Sequence, residues 1–206
     1  SVEAGPEGTY TAQLWTGIAN TARKDREDLN SGLIVRSNKT GTEYISVNFY
    51  GVNQLGANAS ATTTYARVCY LKKYSMTEAD AKGHFCKELP LTEFNVNRPF
   101  SWAYKTPLNF DVTVEGDSLT VSGSYAGTAG VAQVSAVFDL RDVVNQEDNT
   151  LNDDDHSYVG VKLGDSDFGL YNATWHSKKY GDQCFADPSI YCSFAARYLA
   201  GEVPEN

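Results

Sequence analysis

The stretch "LNFDVTVEGDSLTVSGSY", residues 108–125, predicts the fold class of this chain. Apolar and polar residues alternate along it, and the inward set is Leu108, Phe110, Val112, Val114, Leu119, Val121, Gly123 and Tyr125. Successive side chains of a strand point to opposite faces of a sheet, so this pattern indicates two strands that each bury one face. Between them, Glu115-Gly116-Asp117 has the composition of a tight turn, in which glycine supplies a positive φ. The stretch is therefore predicted to be a β-hairpin.

The same period of two recurs along most of the chain. Alternation is clear over 10–18 and 43–50, and further candidate strands cover 31–36, 62–72, 92–97, 100–104, 131–140, 158–163 and 168–175. Gly, Asn, Asp and Pro separate these segments, as is typical of antiparallel sheets. We therefore expect residues 1–206 to form a single all-β domain of about ten strands, either an antiparallel sandwich of jelly-roll-like character or a barrel.

Little helix is expected. The segment "TEADAKG", residues 77–83, begins with a helix-capping threonine and ends in glycine, which predicts one short helix inside the loop between Cys69 and Cys86. The segment 187–201 fits either a helix or a final strand, and the strand is favoured. The polar stretch 141–157 is predicted to be a long loop.

Four cysteines fall into two close pairs, and none lies in a C-x-x-C motif of the zinc-ribbon or redox type. This spacing predicts the disulfides Cys69–Cys86 and Cys184–Cys192, with four free thiols in a cytosolic protein as the alternative. Disulfides persist in oxidising compartments, so the expected location is extracytoplasmic: secreted, periplasmic or surface-anchored. A start at Ser1 without a charged and apolar leader is read as a mature product whose signal segment has been removed.

The formal net charge of −9 excludes several classes of partner. No basic stripe is present to neutralise phosphates, so neither nucleic acid nor anionic lipid is an expected partner. No apolar run approaches the roughly 20 residues that span a bilayer, so no transmembrane segment is expected. The sequence gives no indication of the oligomeric state.

The tetrapeptide Gly-Asp-Ser-Leu, residues 116–119, is shared with a family of serine esterases and lipases, and Asp153 and His156 have the D-x-x-H spacing of those enzymes. In that family the serine follows a parallel strand and opens a helix. Here Ser118 begins the second strand of the predicted hairpin, and the D-x-x-H motif follows it too closely in the chain. Ser118 is therefore predicted to be dispensable, and no catalytic residue is assigned.

The acidic segment "NQEDNTLNDDDH", residues 145–156, contains oxygen ligands of the kind that calcium prefers. It lacks the Gly and Glu positions of an EF-hand loop, and charge runs are usually solvated. Calcium is the one cofactor that the sequence brings into consideration, with Asp153 and Asp155 as the favoured metal ligands. The histidines form no zinc-binding pattern.

Outward aromatic residues give the remaining functional signal. Trp15 falls on the polar face of its strand, and Tyr44 and Tyr50 flank Ser46 and Asn48 on one face of another strand. Sugar rings stack on aromatic faces that lie beside hydroxyl and amide groups, so Trp15, Tyr44 and Tyr50 are the predicted ligand-binding residues. The alternative is a second small core beneath a long loop.

These observations favour an extracytoplasmic, non-enzymatic binding protein that recognises glycans or a cell surface. One alternative is a carbohydrate-active enzyme of sandwich fold, although the paired-carboxylate patterns that such enzymes often carry on one strand are absent. The other alternative is an envelope or surface structural protein. A deep cleft with two facing carboxylates would favour the enzyme, a shallow aromatic strip would favour binding, and the absence of both would favour the structural protein.

Overall fold

Strands dominate the computed structural model, which describes residues 2–16, 32–53, 62–73, 84–93, 101–102, 108–127, 130–144, 149–162 and 168–179. They form two antiparallel sheets. The sheets pack face to face as a sandwich and do not close into a barrel, which resolves the two predicted arrangements. The prediction of an all-β fold is confirmed.

Within the described residues, the first sheet has seven strands: β1 (Val2–Glu3), β3 (Gly32–Ser37), β4 (Glu43–Asn53), β5 (Thr62–Lys72), β6 (His84–Pro90), β8 (Ser101–Trp102) and β12 (Tyr158–Lys162). Their order is β1-β12-β3-β4-β5-β6, with β8 against β5. The second sheet has six strands in the part of the chain that the structure describes: β2 (Gly8–Thr16), β7 (Thr92–Glu93), β9 (Leu108–Glu115), β10 (Ser118–Gly127), β11 (Gly130–Asp139) and β13 (Phe168–Ser177). Their order is β13-β2-β9-β10-β11-β7.

The predicted hairpin is present as β9 and β10. Ser118 pairs with Glu115 across a turn in which Gly116 has a φ of 53°. The predicted inward residues are buried wherever their side chains are described, as Phe110, Val112 and Leu119 illustrate. The alternation in the sequence therefore predicts correctly which residues of β9 and β10 face the core.

The main core lies between the two sheets and takes apolar side chains from both inner faces. Tyr10 on β2 extends across it, and its hydroxyl donates to the Gly160 carbonyl of β12 at 2.9 Å. The Tyr10 ring also meets Trp175 of β13 edge to face, with ring centroids 4.8 Å apart. A buried tyrosine needs a partner for its hydroxyl, and here that partner lies on the opposite sheet. Tyr10 thus ties the two layers together.

The seven-stranded sheet departs from the prediction because its outer face is also covered. Tyr44, Ser46 and Asn48 alternate with core residues as expected, yet all three are buried. Tyr44 belongs to a second apolar cluster with Cys69 and Leu71. The expectation that these positions of β4 face solvent is therefore wrong, because alternation reports which face a side chain occupies and not whether another layer covers that face.

The stretch 141–157, predicted as a loop, contains two short helical segments. Helix α1 (Leu140–Val144) buries Leu140, Val143 and Val144, which recur at the spacing of one helix face. A 3₁₀ helix covers Asp154–His156. Strand β6 was also not predicted. The helix expected at 77–83 and the last strand expected at 187–201 lie outside the described residues.

The disulfide Cys69–Cys86 is present, as predicted from spacing, and joins residues directly opposite each other on β5 and β6. Strand β6 ends the sheet order in the described part of the chain, so the disulfide fastens this terminal strand to its neighbour. The predicted pair Cys184–Cys192 lies outside the described residues. In the part of the chain described here, the helices lack the length and apolar character needed to cross a membrane.

Candidate functional site

The ladder face, as we call it, is the part of the outer face of the six-stranded sheet that is formed by three rows of side chains from five strands. The core-facing residues of β2, β9, β10, β11 and β13 occupy alternate positions, so the side chains between them lie on the other face. The register aligns these side chains in three rows: His176, Thr9, Thr113, Thr120 and Val137; Thr174, Thr11, Asp111, Ser122 and Ser135; and Gln13, Asn109, Ser124 and Gln133. Each of them is partly or fully exposed.

Side-chain hydrogen bonds order the part of the ladder face where β2 meets β9. Three bonds join these strands: Thr9 Oγ1 with Thr113 Oγ1 at 3.0 Å, Thr11 Oγ1 with Asp111 Oδ1 at 2.6 Å, and Gln13 Nε2 with Asn109 Oδ1 at 3.0 Å. Directly opposite side chains on neighbouring strands are close enough for such pairs. The polar groups in this region therefore have fixed positions before any ligand arrives.

The ladder face has an unusual charge distribution. Asp111 is the one Asp, Glu, Lys or Arg residue in these three rows, although such residues make up 21% of the chain. A surface adapted only for solubility carries roughly 25–35% charged residues of both signs. The charges of this sheet gather at one end, where Lys178 lies 2.8 Å from Glu115 and Arg141 lies 2.6 Å from Asp139. The ladder face is thus a band of hydroxyl and amide groups beside a charged rim.

Arg36 is fully buried beneath the turn between β9 and β10, although its sequence context did not mark it out. Its guanidinium donates to three backbone carbonyls: Nε to Pro6 at 3.1 Å, Nη1 to Thr150 at 2.9 Å, and Nη2 to Gly116. The residue has a φ of 48°, in the left-handed region that costs a side-chain-bearing residue about 1–2 kcal/mol. Arg36 therefore connects three separate segments at one end of the sandwich.

Acidic residues surround this buried cation. Burial lowers the pKa of Arg36 to about 10, and the carboxylates of Glu7, Asp117 and Asp153 oppose that shift. Hydrogen bonds from the Gly116 backbone and from Lys178 hold the pKa of Glu7 below its usual value, against the opposing effect of burial. The stabilisation from Glu7 is therefore present at neutral pH and is lost as the pH falls through this lowered pKa.

His156 lies between two carboxylates near the same end. Its Nδ1 is 2.8 Å from Asp153 Oδ1, and its Nε2 is 3.6 Å from Glu43 Oε2. Tyr70 and Lys72 donate to Glu43 Oε1 at 2.7 and 3.1 Å. Burial raises the pKa of Glu43, but these two hydrogen bonds, together with the nearby charge of Lys72, leave the pKa below its usual value. This group ties the segment before β12 to β4 and β5.

Asp153 and Asp155, the two predicted metal ligands, lie in different environments. Asp153 caps the 3₁₀ helix, and its Oδ1 accepts hydrogen bonds from the backbone and the ring of His156. Asp155 is exposed. Within the described ranges, no three acidic, histidine or cysteine side chains form a group that could hold a metal ion. A calcium site at Asp153 and Asp155 stays a prediction from the sequence.

Ser118 and His156 do not form the esterase arrangement. Ser118 is exposed at the start of β10, opposite Glu115 on one neighbouring strand and Asp139 on the other. Both ring nitrogens of His156 face carboxylates, Asp153 and Glu43, so neither is directed at a serine hydroxyl. The hairpin interpretation of this motif is confirmed.

Replacement of Ser118 by Ala is expected to change the free energy of unfolding by no more than about 0.5 kcal/mol, as is usual for exposed positions. Removal of a true serine nucleophile lowers kcat by roughly a millionfold. Urea unfolding and p-nitrophenyl ester hydrolysis by the wild type and Ser118→Ala measure both quantities, with Ser124→Ala as a control on the same strand. An esterase activity that disappears in Ser118→Ala alone would contradict this prediction.

The three predicted aromatic ligand contacts do not share one sheet. Trp15 is on β2 of the six-stranded sheet, opposite Gly169, whereas Tyr44 and Tyr50 are on β4 of the other sheet. The side chains of Trp15 and Tyr50 lie outside the described part of the structure. Tyr44 is only 6% exposed and packs in the second apolar cluster, as the alternative of a small second core anticipated. Ligand binding by Trp15, Tyr44 and Tyr50 stays a prediction.

No protein-family model, no curated protein and no solved structure matches this chain. The ladder face is the feature that the sequence analysis did not identify. Its signal was present in the polar positions of the alternating strands, of which Thr11, Gln13 and Asp111 are examples.

Proposed function

We propose that this chain is an extracytoplasmic, non-enzymatic binding protein that recognises neutral glycans through the ladder face. The observation that carries the proposal is the concentration of ordered hydroxyl and amide groups on a broad surface that is almost free of charge. Hydroxyl and amide side chains both donate and accept hydrogen bonds, as sugar hydroxyls do. Such a surface matches a polyhydroxylated, uncharged ligand better than a peptide or a polyanion.

The compartment is supported by the Cys69–Cys86 disulfide, which bridges two neighbouring strands. Protein disulfides are characteristic of oxidising environments, where extracellular glycans are also found. A location outside the cytoplasm therefore agrees with the proposed ligand class.

A binding role, without catalysis, is supported by the way the described carboxylates are engaged. Glycoside hydrolysis requires two carboxyl groups that flank the scissile bond. Glu43 already accepts hydrogen bonds from Tyr70 and Lys72, and Asp153 from His156. On the ladder face Asp111 is the only carboxylate among the described residues. This distribution fits recognition of a glycan better than its cleavage.

Trp15 is the predicted aromatic ligand contact that this proposal includes. It lies on β2, the strand that supplies Thr9, Thr11 and Gln13 to the ladder face. An aromatic ring beside hydroxyl and amide groups would add stacking to their hydrogen bonds. Trp15→Ala is therefore a useful companion to the ladder-face variants in binding assays.

Co-sedimentation with insoluble neutral polysaccharides tests the proposal, with cellulose, chitin and a β-1,3-glucan as probes. The wild type is expected to bind at least one of them. Ser122→Lys, which places a charge within the ladder face, is expected to weaken that binding about tenfold or more. Thr40→Lys provides the matched control, because Thr40 is exposed on the turn before β4 in the other sheet.

The outcomes separate the candidate functions. Equal loss of binding in both lysine variants would argue against the ladder face, and absence of binding by the wild type would favour a structural role. Release of soluble sugar from any probe would favour the enzyme alternative. Repetition with added calcium and with a chelator tests the predicted site at Asp153 and Asp155.

A further inference from the structure

We infer that Asp111 makes the ladder face selective for neutral over anionic glycans, an inference that rests on the proposed function. Asp111 lies in the middle row of the ladder face, on the central strand of the five that form it. It is opposite Thr11 on β2 and Ser122 on β10. A ligand that lies across the strands along this row must pass directly over its carboxylate.

The hydrogen bonding of Asp111 leaves one carboxylate oxygen available to a ligand. The Thr11 hydroxyl donates to Asp111 Oδ1 at 2.6 Å, which fixes the orientation of the carboxylate. Among the described residues, no hydrogen bond to Asp111 Oδ2 is found. An ionised carboxylate is purely an acceptor, so this oxygen can take hydrogen bonds from the hydroxyl groups of a sugar.

The same group is unfavourable for an anionic ligand. Sulfate and carboxylate substituents offer acceptors but no donors, and their charge repels Asp111. The described ladder face contains neither Lys nor Arg that could offset this repulsion, and the chain as a whole has a net charge of −9. Specificity commonly depends on such a repulsive element as much as on attractive contacts.

The middle row also indicates an extended ligand. It continues across five strands through Thr174, Thr11, Asp111, Ser122 and Ser135. Adjacent strands lie about 4.8 Å apart, so the row is about 19 Å long. One sugar ring would occupy a small part of this length, whereas a linear polysaccharide would contact all of it.

A pair of soluble polymers with one backbone tests the inference: hydroxyethylcellulose, which is neutral, and carboxymethylcellulose, which is anionic. Affinity electrophoresis gives the ratio of their dissociation constants. We expect the wild type to prefer the neutral polymer, and we expect Asp111→Asn to reduce that preference by about tenfold or more. Asp111→Glu keeps the charge and is expected to keep the preference.

Asp139→Asn is the matched control, because Asp139 is an exposed carboxylate at the charged end of the same sheet. It changes the net charge by the same amount and is expected to leave the preference unchanged. An equal effect of both Asn variants, or an unchanged ratio in a folded Asp111→Asn, would overturn the role of Asp111 while the proposed function stands. If the wild type bound neither polymer nor any insoluble neutral glycan, both the proposed function and the role of Asp111 would be contradicted.

Discussion

Replacement of Arg36 by Ala should lower the free energy of unfolding by about 3–5 kcal/mol, because three backbone carbonyls lose a charged donor and hydrogen bonds to charged groups contribute about 1.5–3 kcal/mol each. The guanidinium is fully buried and bonds the backbone carbonyls of Pro6, Gly116 and Thr150. Its removal leaves those carbonyls without their donor and removes the attraction between the buried cation and the carboxylates of Glu7 and Asp117. Total stabilities of domains are about 5–15 kcal/mol, so this loss is a large part of the whole.

Urea unfolding of Arg36→Ala measures the effect, and Arg141→Ala is the control. Arg141 also pairs with a carboxylate, Asp139, but in an exposed position where such pairs contribute about 0–1 kcal/mol. Arg36→Gly separates the contribution of the side-chain hydrogen bonds from the cost of the positive φ at this position. It removes the same side chain but relieves the positive φ, so it should be about 1 kcal/mol more stable than Arg36→Ala. Equal unfolding midpoints for Arg36→Ala and Arg141→Ala would contradict the structural role of Arg36.

Removal of the Cys69–Cys86 disulfide has the second largest expected effect. The cysteines are 17 residues apart, and closure of a loop of that length stabilises a protein by about 3 kcal/mol in the chain-entropy model. The double variant Cys69→Ala/Cys86→Ala should lose about that amount. Cys69 also packs against Tyr44 and Leu71. Loss of the disulfide should therefore weaken the packing of the second apolar cluster and the attachment of β6 to β5.

Reductant supplies the control for the disulfide. It should lower the urea midpoint of the wild type while having a much smaller effect on the double variant. Peptide mapping without reduction should recover Cys69 bonded to Cys86, and the sequence predicts Cys184 bonded to Cys192. Four alkylatable thiols in the untreated wild type, or a peptide that joins Cys86 to Cys184, would contradict the pairing and weaken the argument for an extracytoplasmic location.

The fold was predictable where one face of a sheet packs and the other meets solvent. The hairpin of β9 and β10 obeys that rule, and its core positions followed directly from alternation. On β4 the rule failed because Tyr44, Ser46 and Asn48 are covered by further chain. Whether a polar face is covered depends on segments distant in sequence, so local alternation does not report it.

Helix α1 was missed for a different reason. It begins directly after β11, so Leu140 continues the apolar alternation of Val134, Ala136 and Phe138. The change of period from two to the helical spacing becomes apparent only at Val143 and Val144, next to an acidic stretch that resembles a loop. A helix of five residues has too few turns for its period to stand out in sequence.

The candidate site depended on tertiary structure more than the fold did. The sequence shows that Thr11 and Asp111 each face away from the core, but they are 100 residues apart. Their contact requires that β2 lie beside β9, and strand order is not encoded in the alternation of either strand. Aromatic residues stand out individually in the sequence, whereas the ladder face becomes evident only when five strands are placed side by side.

The central claim is that glycan binding occurs on the ladder face. Titration of the labelled protein with the neutral polymer or oligosaccharide that it binds, followed by amide chemical shifts, tests this claim most directly. The account predicts the largest shifts at Thr11, Asp111, Thr113 and Ser122, with little change at Tyr44 or Leu71 of the other sheet. Shifts confined to the seven-stranded sheet, or no shifts at a saturating concentration of every neutral glycan tried, would contradict it.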